Sequence, residues 1–164
     1  LFIFSCFTGL SFSDMKGLKN SNLQDFFDGN QWIIVRRKKT ATSSNVMLLD
    51  IPKMIIEKYT GFSKDGKVFP VPSNTICNDS LKRISQLIDC LVEKKVTFHL
   101  ARHTFATLFL SEGVPLESLS KMLGHKNIAT TQIYAKILNE KVGKDMQKVS
   151  HKFKGMEESF VSSL

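Results

Sequence analysis

At 164 residues, with 42% hydrophobic and 23% charged side chains, the chain is sized for one domain with one buried core, and its composition is neither disordered nor fibrous. Lys and Arg number 23 against 15 Asp and Glu, a net charge of +8 with a pI near 9.5. That surplus favours a polyanionic partner such as nucleic acid, without separating DNA from RNA or from a membrane surface. Cys6, Cys77 and Cys90 are widely spaced and form no C-x-x-C pair, so neither a disulfide framework nor a zinc knuckle is suggested and a reducing cytoplasm is the expected location.

Residues 1–10 are apolar, but no basic stretch or initiator Met precedes them and no small-residue cleavage pattern follows. They are expected to form a buried helix ending near Gly9, in a chain whose upstream part is missing. No apolar run approaches the roughly 18 to 20 residues that span a bilayer, so a soluble protein is expected. Ser13 or Asp14 can cap a short turn before the polar stretch 19–22. Residues 32–37 and 46–49 are β-prone runs joined by a basic segment, which predicts a hairpin with a cationic tip.

Pro52 suits the first position of a helix reaching about Tyr59, and 61–72 reads as a loop. Leu81, Ile84, Leu87, Ile88 and Leu91 recur at helical spacing and predict a longer amphipathic helix. Helices are then expected over 99–111, 115–123 with a stop at Gly124, 128–137, and a basic 139–154. Phe105, Leu108, Leu110, Leu119 and Met122 are expected in the core. The fold class is α+β, mostly helical, with a small β element.

His99 and Arg102, three apart on a helix, share a face and can converge on one anion. A guanidinium suits phosphate because its planar fork donates two parallel hydrogen bonds and keeps its charge. Gly124 and Asn127 bracket His125 in a tight turn between helices. Tyr134, taken alone, reads as an amphipathic residue at the core edge. His99 and His103 have the i, i+4 spacing of zinc ligands, but the Glu of H-E-x-x-H and an acidic third ligand are absent, so no metal is expected.

Taken together, His99-x-x-Arg102-His103-Thr104-Phe105-Ala106-Thr107, Leu123-Gly124-His125 and Thr130-Thr131-Gln132-Ile133-Tyr134 closely resemble the catalytic domain of the tyrosine recombinases, the phage-integrase family. The resemblance runs from the first helix through the Tyr134 helix. It implies helices around a small antiparallel sheet and site-specific DNA strand exchange. It implies that Tyr134 attacks a DNA phosphodiester to leave a 3′-phosphotyrosyl link, so that bond energy is conserved and no cofactor is needed. Arg102, His99 and His125 would bind the non-bridging oxygens, and Lys39, or Lys38 if the register slips, would protonate the departing 5′-oxygen.

One position departs from the family pattern. Thr8-Gly9-Leu10-Ser11-Phe12-Ser13-Asp14 keeps the frame of T-G-L-R-x-S-E but places Ser11 where the first arginine stands, while Asp14 matches the acidic residue. A serine hydroxyl donates one hydrogen bond and no charge. Arg36, Arg37 or Arg83 are candidates for the gap. His103 is expected to support the site from behind. Arg36, Arg37, Lys38, Lys121 and Lys126 are candidate DNA-backbone contacts.

The rival readings are a non-catalytic helix-turn-helix DNA-binding protein, with residues 116–134 as the motif, and a degenerate, inactive integrase. The resemblance further implies that the chain, 1–164, is a catalytic-domain fragment acting on double-stranded DNA. It would be monomeric when free and tetrameric in the synapse, with the helix after about Asn139 exchanged between neighbours.

Overall fold

A computed structural model describes residues 1–63, 65–87 and 96–137, together with the single positions 143, 146, 147 and 150. The expected basic helix over 139–154 lies outside the described residues, those isolated positions apart.

The first helix, α1 (Phe2–Thr8), ends at Gly9, whose left-handed backbone lets its N–H close onto the Ser5 carbonyl. A Cβ at Gly9 would stand 2.6 Å from the Phe105 ring, so α1 and the later helix carrying Phe105 approach at a point only glycine permits. Ser11 caps the short α2 (Phe12–Lys16) by accepting from the Asp14 N–H.

Three antiparallel strands follow in the order β1 (Leu23–Asp25), β2 (Gln31–Arg36), β3 (Ser43–Met47). The predicted hairpin is β2–β3, paired from Trp32 opposite Met47 to Arg36 opposite Ser43. Strand β1 is an addition to the sequence reading. It is short and polar, and its place comes from pairing Leu23 with Ile33, a contact that local propensity does not encode. Ile33 and Val35 point inward from β2, and Ser44 and Val46 from β3, with the two-residue period of a half-buried sheet.

Helix α3 (Asp50–Tyr59) begins two residues before Pro52. The expected first position therefore shifts inward, still within the first turn, where the missing N–H costs nothing. Helix α4 (Asn74–Leu87) buries Cys77 and Leu81, but Ile84 and Leu87 are 53% and 84% exposed. The predicted stripe is thus only half used: its N-terminal part joins the core, and beyond Leu81 the helix leaves it. Ile88 and Leu91 fall outside the described residues.

Helix α5 (Phe98–Ser111) is the central element, running against α1, α6 (Leu116–Leu123) and α7 (Ala129–Ile137). One apolar cluster gathers Phe4, Leu10, Ile33, Leu48 and Phe69 with Phe98. A second holds Phe105, Ala106, Leu110, Leu119, Leu123 and Tyr134. Met122 packs at the edge of the second cluster, whereas Leu108, expected in the core, is 38% exposed because it lies on the outer side of α5.

Helix α6 ends as the sequence predicts, at Gly124 with φ 59°. The Gly124 N–H returns to Lys121 and the His125 N–H to the Ser120 carbonyl, a Schellman closure. A Cβ on Gly124 would lie 2.5 Å from the Arg37 side chain. Gly124→Ala is therefore expected to lower stability by about 2–4 kcal/mol, adding left-handed strain to overpacking. Thermal melts check this, and an unchanged melting temperature would contradict the packing described.

Candidate active site

The site forms where the two apolar clusters meet. Arg102, on α5, is 5% exposed, and a buried guanidinium requires acceptors within the protein. Helix ends supply them: Nη1 donates to the Gly9 carbonyl at 2.5 Å, and Nη2 to the Leu123 carbonyl at 2.5 Å and to Nε2 of His125 at 3.0 Å. Both carbonyls belong to helix C-termini, whose partial negative charge suits a cation.

Arg37 enters the same space from the hairpin. The sequence offers it both as a contact to the DNA backbone and as a candidate for the place of the missing arginine; the structure buries it to 7% exposure, which fits the second of these and not a surface contact. It continues the inward face of Ile33 and Val35, since every second residue of an extended chain points the same way. Its Nε donates to the Asp14 carboxylate at 3.1 Å and its Nη1 to the Leu123 carbonyl at 2.6 Å. Arg37 and Arg102 thus share one carbonyl. Burial first, then the Arg37 charge, lowers the Arg102 pKa to about 10, which leaves it cationic at neutral pH.

Asp14 holds the cluster at its other edge. Ser11 Oγ donates to its Oδ2 at 2.6 Å, the same oxygen that Arg37 contacts, and the Lys38 N–H donates to Oδ1 at 3.0 Å. Burial pushes the carboxyl up, but hydrogen bonds from Ser11 and Lys38 and the Arg37 charge outweigh it and hold the group below its usual range. The hairpin is fastened to the end of α6 by further bonds. Thr42 Oγ1 donates to the Gly124 carbonyl at 2.5 Å and Ser44 Oγ to the Met122 carbonyl at 2.5 Å.

His125 lies between Arg102 and Thr131, its Nδ1 being 2.8 Å from Thr131 Oγ1. Because a guanidinium only donates, Nε2 is the acceptor and the ring is neutral with its proton on Nδ1. Burial, then Arg102 and Arg37, lower the imidazolium pKa to about 4 from 6.5. Between those values the unfolded chain binds a proton that the folded site refuses, so this group makes stability fall as pH drops through the window. His125→Gln is expected to flatten that part of the decline in melting temperature between pH 7 and 4.5. Parallel declines in the two proteins would contradict the burial of a neutral ring.

Tyr134 is 3% exposed on α7. Its ring meets His103 edge-on at 5.3 Å, and His103 in turn meets His99 at 4.3 Å, so three rings run from the solvent-facing start of α5 to the buried phenol. Burial raises the phenol pKa, while Arg102 and Arg37 pull it down. His99 is exposed at the mouth of a cleft of about 470 Å³ lined by Ser11, Phe12, Asn74, Asn78 and Arg102.

The structure therefore brings together Ser11, Asp14, Arg37, His99, Arg102, His103, His125 and Tyr134. Lys39 is exposed on the β2–β3 turn, as is Lys38; Arg36 is exposed and donates from Nε to the Ala41 carbonyl. Lys121 and Lys126 are exposed on either side of the His125 turn, and Arg83 is exposed on α4. Sequence reasoning gave no role to Thr131 or to the Gly9 and Leu123 carbonyls. The signal for Thr131 was its position three residues before Tyr134, on the same helix face. Among the described residues no three His, Cys, Asp or Glu side chains gather as a metal site, and no helix is long and apolar enough to cross a membrane.

Residues 1–141 match the family model described as the phage integrase family. The chain is 32% identical over 149 residues to the tyrosine recombinase XerA of Thermococcus onnurineus, covering 85% of this chain and 51% of that protein. It spans about half or less of the length of the curated relatives it matches first. Its fold is similar to a crystal structure of XerA recombinase, with TM-score 0.67, 23% identity, and coverage of 87% of this chain and 54% of that one. It is also similar to the Tn1549 transposon integrase in complex with a circular intermediate DNA, with TM-score 0.62, 19% identity, and coverage of 81% and 52%.

Proposed function

The chain belongs to the phage integrase family, and on that premise we propose that it cuts and rejoins double-stranded DNA through a 3′-phosphotyrosyl intermediate on Tyr134. The observation that carries this reading is the pair of buried guanidiniums, Arg102 and Arg37, gathered with His125 within electrostatic reach of a buried tyrosine. Such a cluster suits the negative charge that grows on a pentacoordinate phosphorus.

In the proposed reaction the Tyr134 oxygen bonds to phosphorus as the bond to the 5′-oxygen breaks. Lys39, on its exposed turn, gives that oxygen a proton. Arg102, His125 and His99 hold the non-bridging oxygens. Arg37 supplies the second cation that Ser11 does not: Ser11 Oγ and Arg37 Nε meet the same Asp14 oxygen, so a guanidinium reaching from position 11 and the one reaching from position 37 would compete for one place. Asp14 and His103 position these groups. Arg36, Lys38, Lys121 and Lys126 contact the flanking backbone, and each phosphate so neutralised adds to the salt dependence.

The Tn1549 integrase complex supports a DNA partner. The wider reading is the catalytic part of a recombinase that integrates or excises a mobile element. It works in the cytoplasm, free as a monomer and assembled on DNA as a tetramer. The test is a nicked suicide duplex carrying the recombination site, incubated with the protein in EDTA and run on a denaturing gel. A slow-migrating protein–DNA adduct is expected. Binding to the duplex without any adduct would instead favour a DNA-binding protein that has lost its chemistry.

A further inference from the structure

Thr131 is fully buried, and its hydroxyl faces the ring nitrogen of His125 that points away from Arg102. It stands on the same helix as Tyr134, one turn earlier, so the two side chains share the inward face of α7. The hydrogen bond from His125 to Thr131 therefore ties the turn after α6 to the helix that carries the phenol. In the present arrangement Nε2 accepts from Arg102, and a nitrogen in that state has no proton to offer a phosphate oxygen.

We propose that Thr131 is a positioning residue that lets His125 exchange tautomers, so that Nε2 acquires its proton only when an anion displaces it from Arg102 while α7 is docked. The inference rests on the phosphate-binding role assigned to His125 above. A threonine hydroxyl both donates and accepts. It accepts from Nδ1–H in the free protein, and after the exchange it can donate to a bare Nδ1. One proton leaves Nδ1 and one is taken up at Nε2 through water, with no change in net charge. The alternative, a doubly protonated ring, would add a cation beside Arg102 and Arg37, and burial with those two charges already disfavours it. Undocking α7 would remove the hydroxyl together with Tyr134, so phosphate gripping and nucleophile placement would be lost as one event.

The experiment is nitrogen-15 NMR of the His125 ring in the free protein and with saturating inorganic phosphate, in the parent, Thr131→Val and Thr131→Ser. The parent is expected to carry its proton on Nδ1 when free and on Nε2 with phosphate. Thr131→Val should block that exchange and slow adduct formation on the suicide duplex by about a hundredfold, the scale of a lost general-acid group or donor. Thr131→Ser, which keeps the hydroxyl, should stay within about threefold of the parent. A ring that keeps its proton on Nδ1 in the parent with phosphate, or a Val variant that exchanges as the parent does, overturns the proposal. The ring spectra require no cleavage. Absence of adduct from the parent would count against the proposed recombinase chemistry and leave the tautomer result standing.

Discussion

Arg102→Ala is expected to cut the rate of covalent adduct formation by about a thousandfold or more, and to lower stability as well. The first effect follows from removing a fork of charged donors from the place where phosphoryl charge develops; one lost donor of that kind costs about 10²–10³ in rate. The second follows from the acceptors left behind. The Gly9 and Leu123 carbonyls are each met by Arg102 at 2.5 Å, and an orphaned buried acceptor costs about 1–3 kcal/mol. Leu123 keeps its bond from Arg37, so the loss falls on the Gly9 carbonyl and on Nε2 of His125. Arg102→Lys separates the two effects. An ammonium keeps the charge but cannot span Gly9 and Leu123 as a planar fork does, so it should remain slow while recovering part of the stability. Single-turnover rates beside thermal melts measure both. A lysine variant with parental rates would show that charge alone suffices.

Arg37→Ala carries the second large effect. The Arg37–Asp14 pair is buried, with 8% and 2% of the two side chains exposed, and removing one partner of such a pair costs about 3–5 kcal/mol. Adduct formation should fall about a hundredfold if Arg37 stands in for the arginine absent at position 11. The decisive variant is the double substitution Ser11→Arg with Arg37→Ala, which returns a guanidinium to the Asp14 carboxylate from the other side. Recovery of at least tenfold over Arg37→Ala is expected. No recovery, in a double variant that melts as the parent does, would mean that Arg37 acts only as a structural tie between the hairpin and α6.

Much of this architecture was legible in the residues because the governing signals are local. Gly9 and Gly124 announce helix ends, Asn127 accepts from the Ala129 N–H at the start of α7, and the β-prone runs around Trp32 and Val46 declare the hairpin. Those signals put His99 and Arg102 on one helix, His125 in a turn and Tyr134 on the helix after it, while their gathering into one site was implied only by the resemblance to the integrase family. What was hidden depended on tertiary pairing. Strand β1 is defined by its partner β2 and not by its own composition. The outward turn of Ile84 and Leu87 reflects where α4 parts from the core, which helical periodicity cannot mark. The distinction within the basic run 36–39 turned on a parity: Ile33 and Val35 set the inward face, Arg37 continues it, and Arg36 and Lys38 point out. That alternation was present in the sequence, but the surplus of charge suggested a cationic tip on which Arg36, Arg37 and Lys38 all contact DNA, and nothing in the charge itself set Arg37 apart from its neighbours.

In the proposed reaction Tyr134 carries the DNA. The chain has two tyrosines, Tyr59 and Tyr134, so the question has a direct answer. Adduct trapped on a suicide duplex, digested with nuclease and protease, is read by tandem mass spectrometry for a nucleotide remnant on each tyrosine-bearing peptide. The remnant is expected on Tyr134 alone, with no adduct from Tyr134→Phe. A remnant on Tyr59, or an adduct that survives Tyr134→Phe, would exclude Tyr134 as the nucleophile.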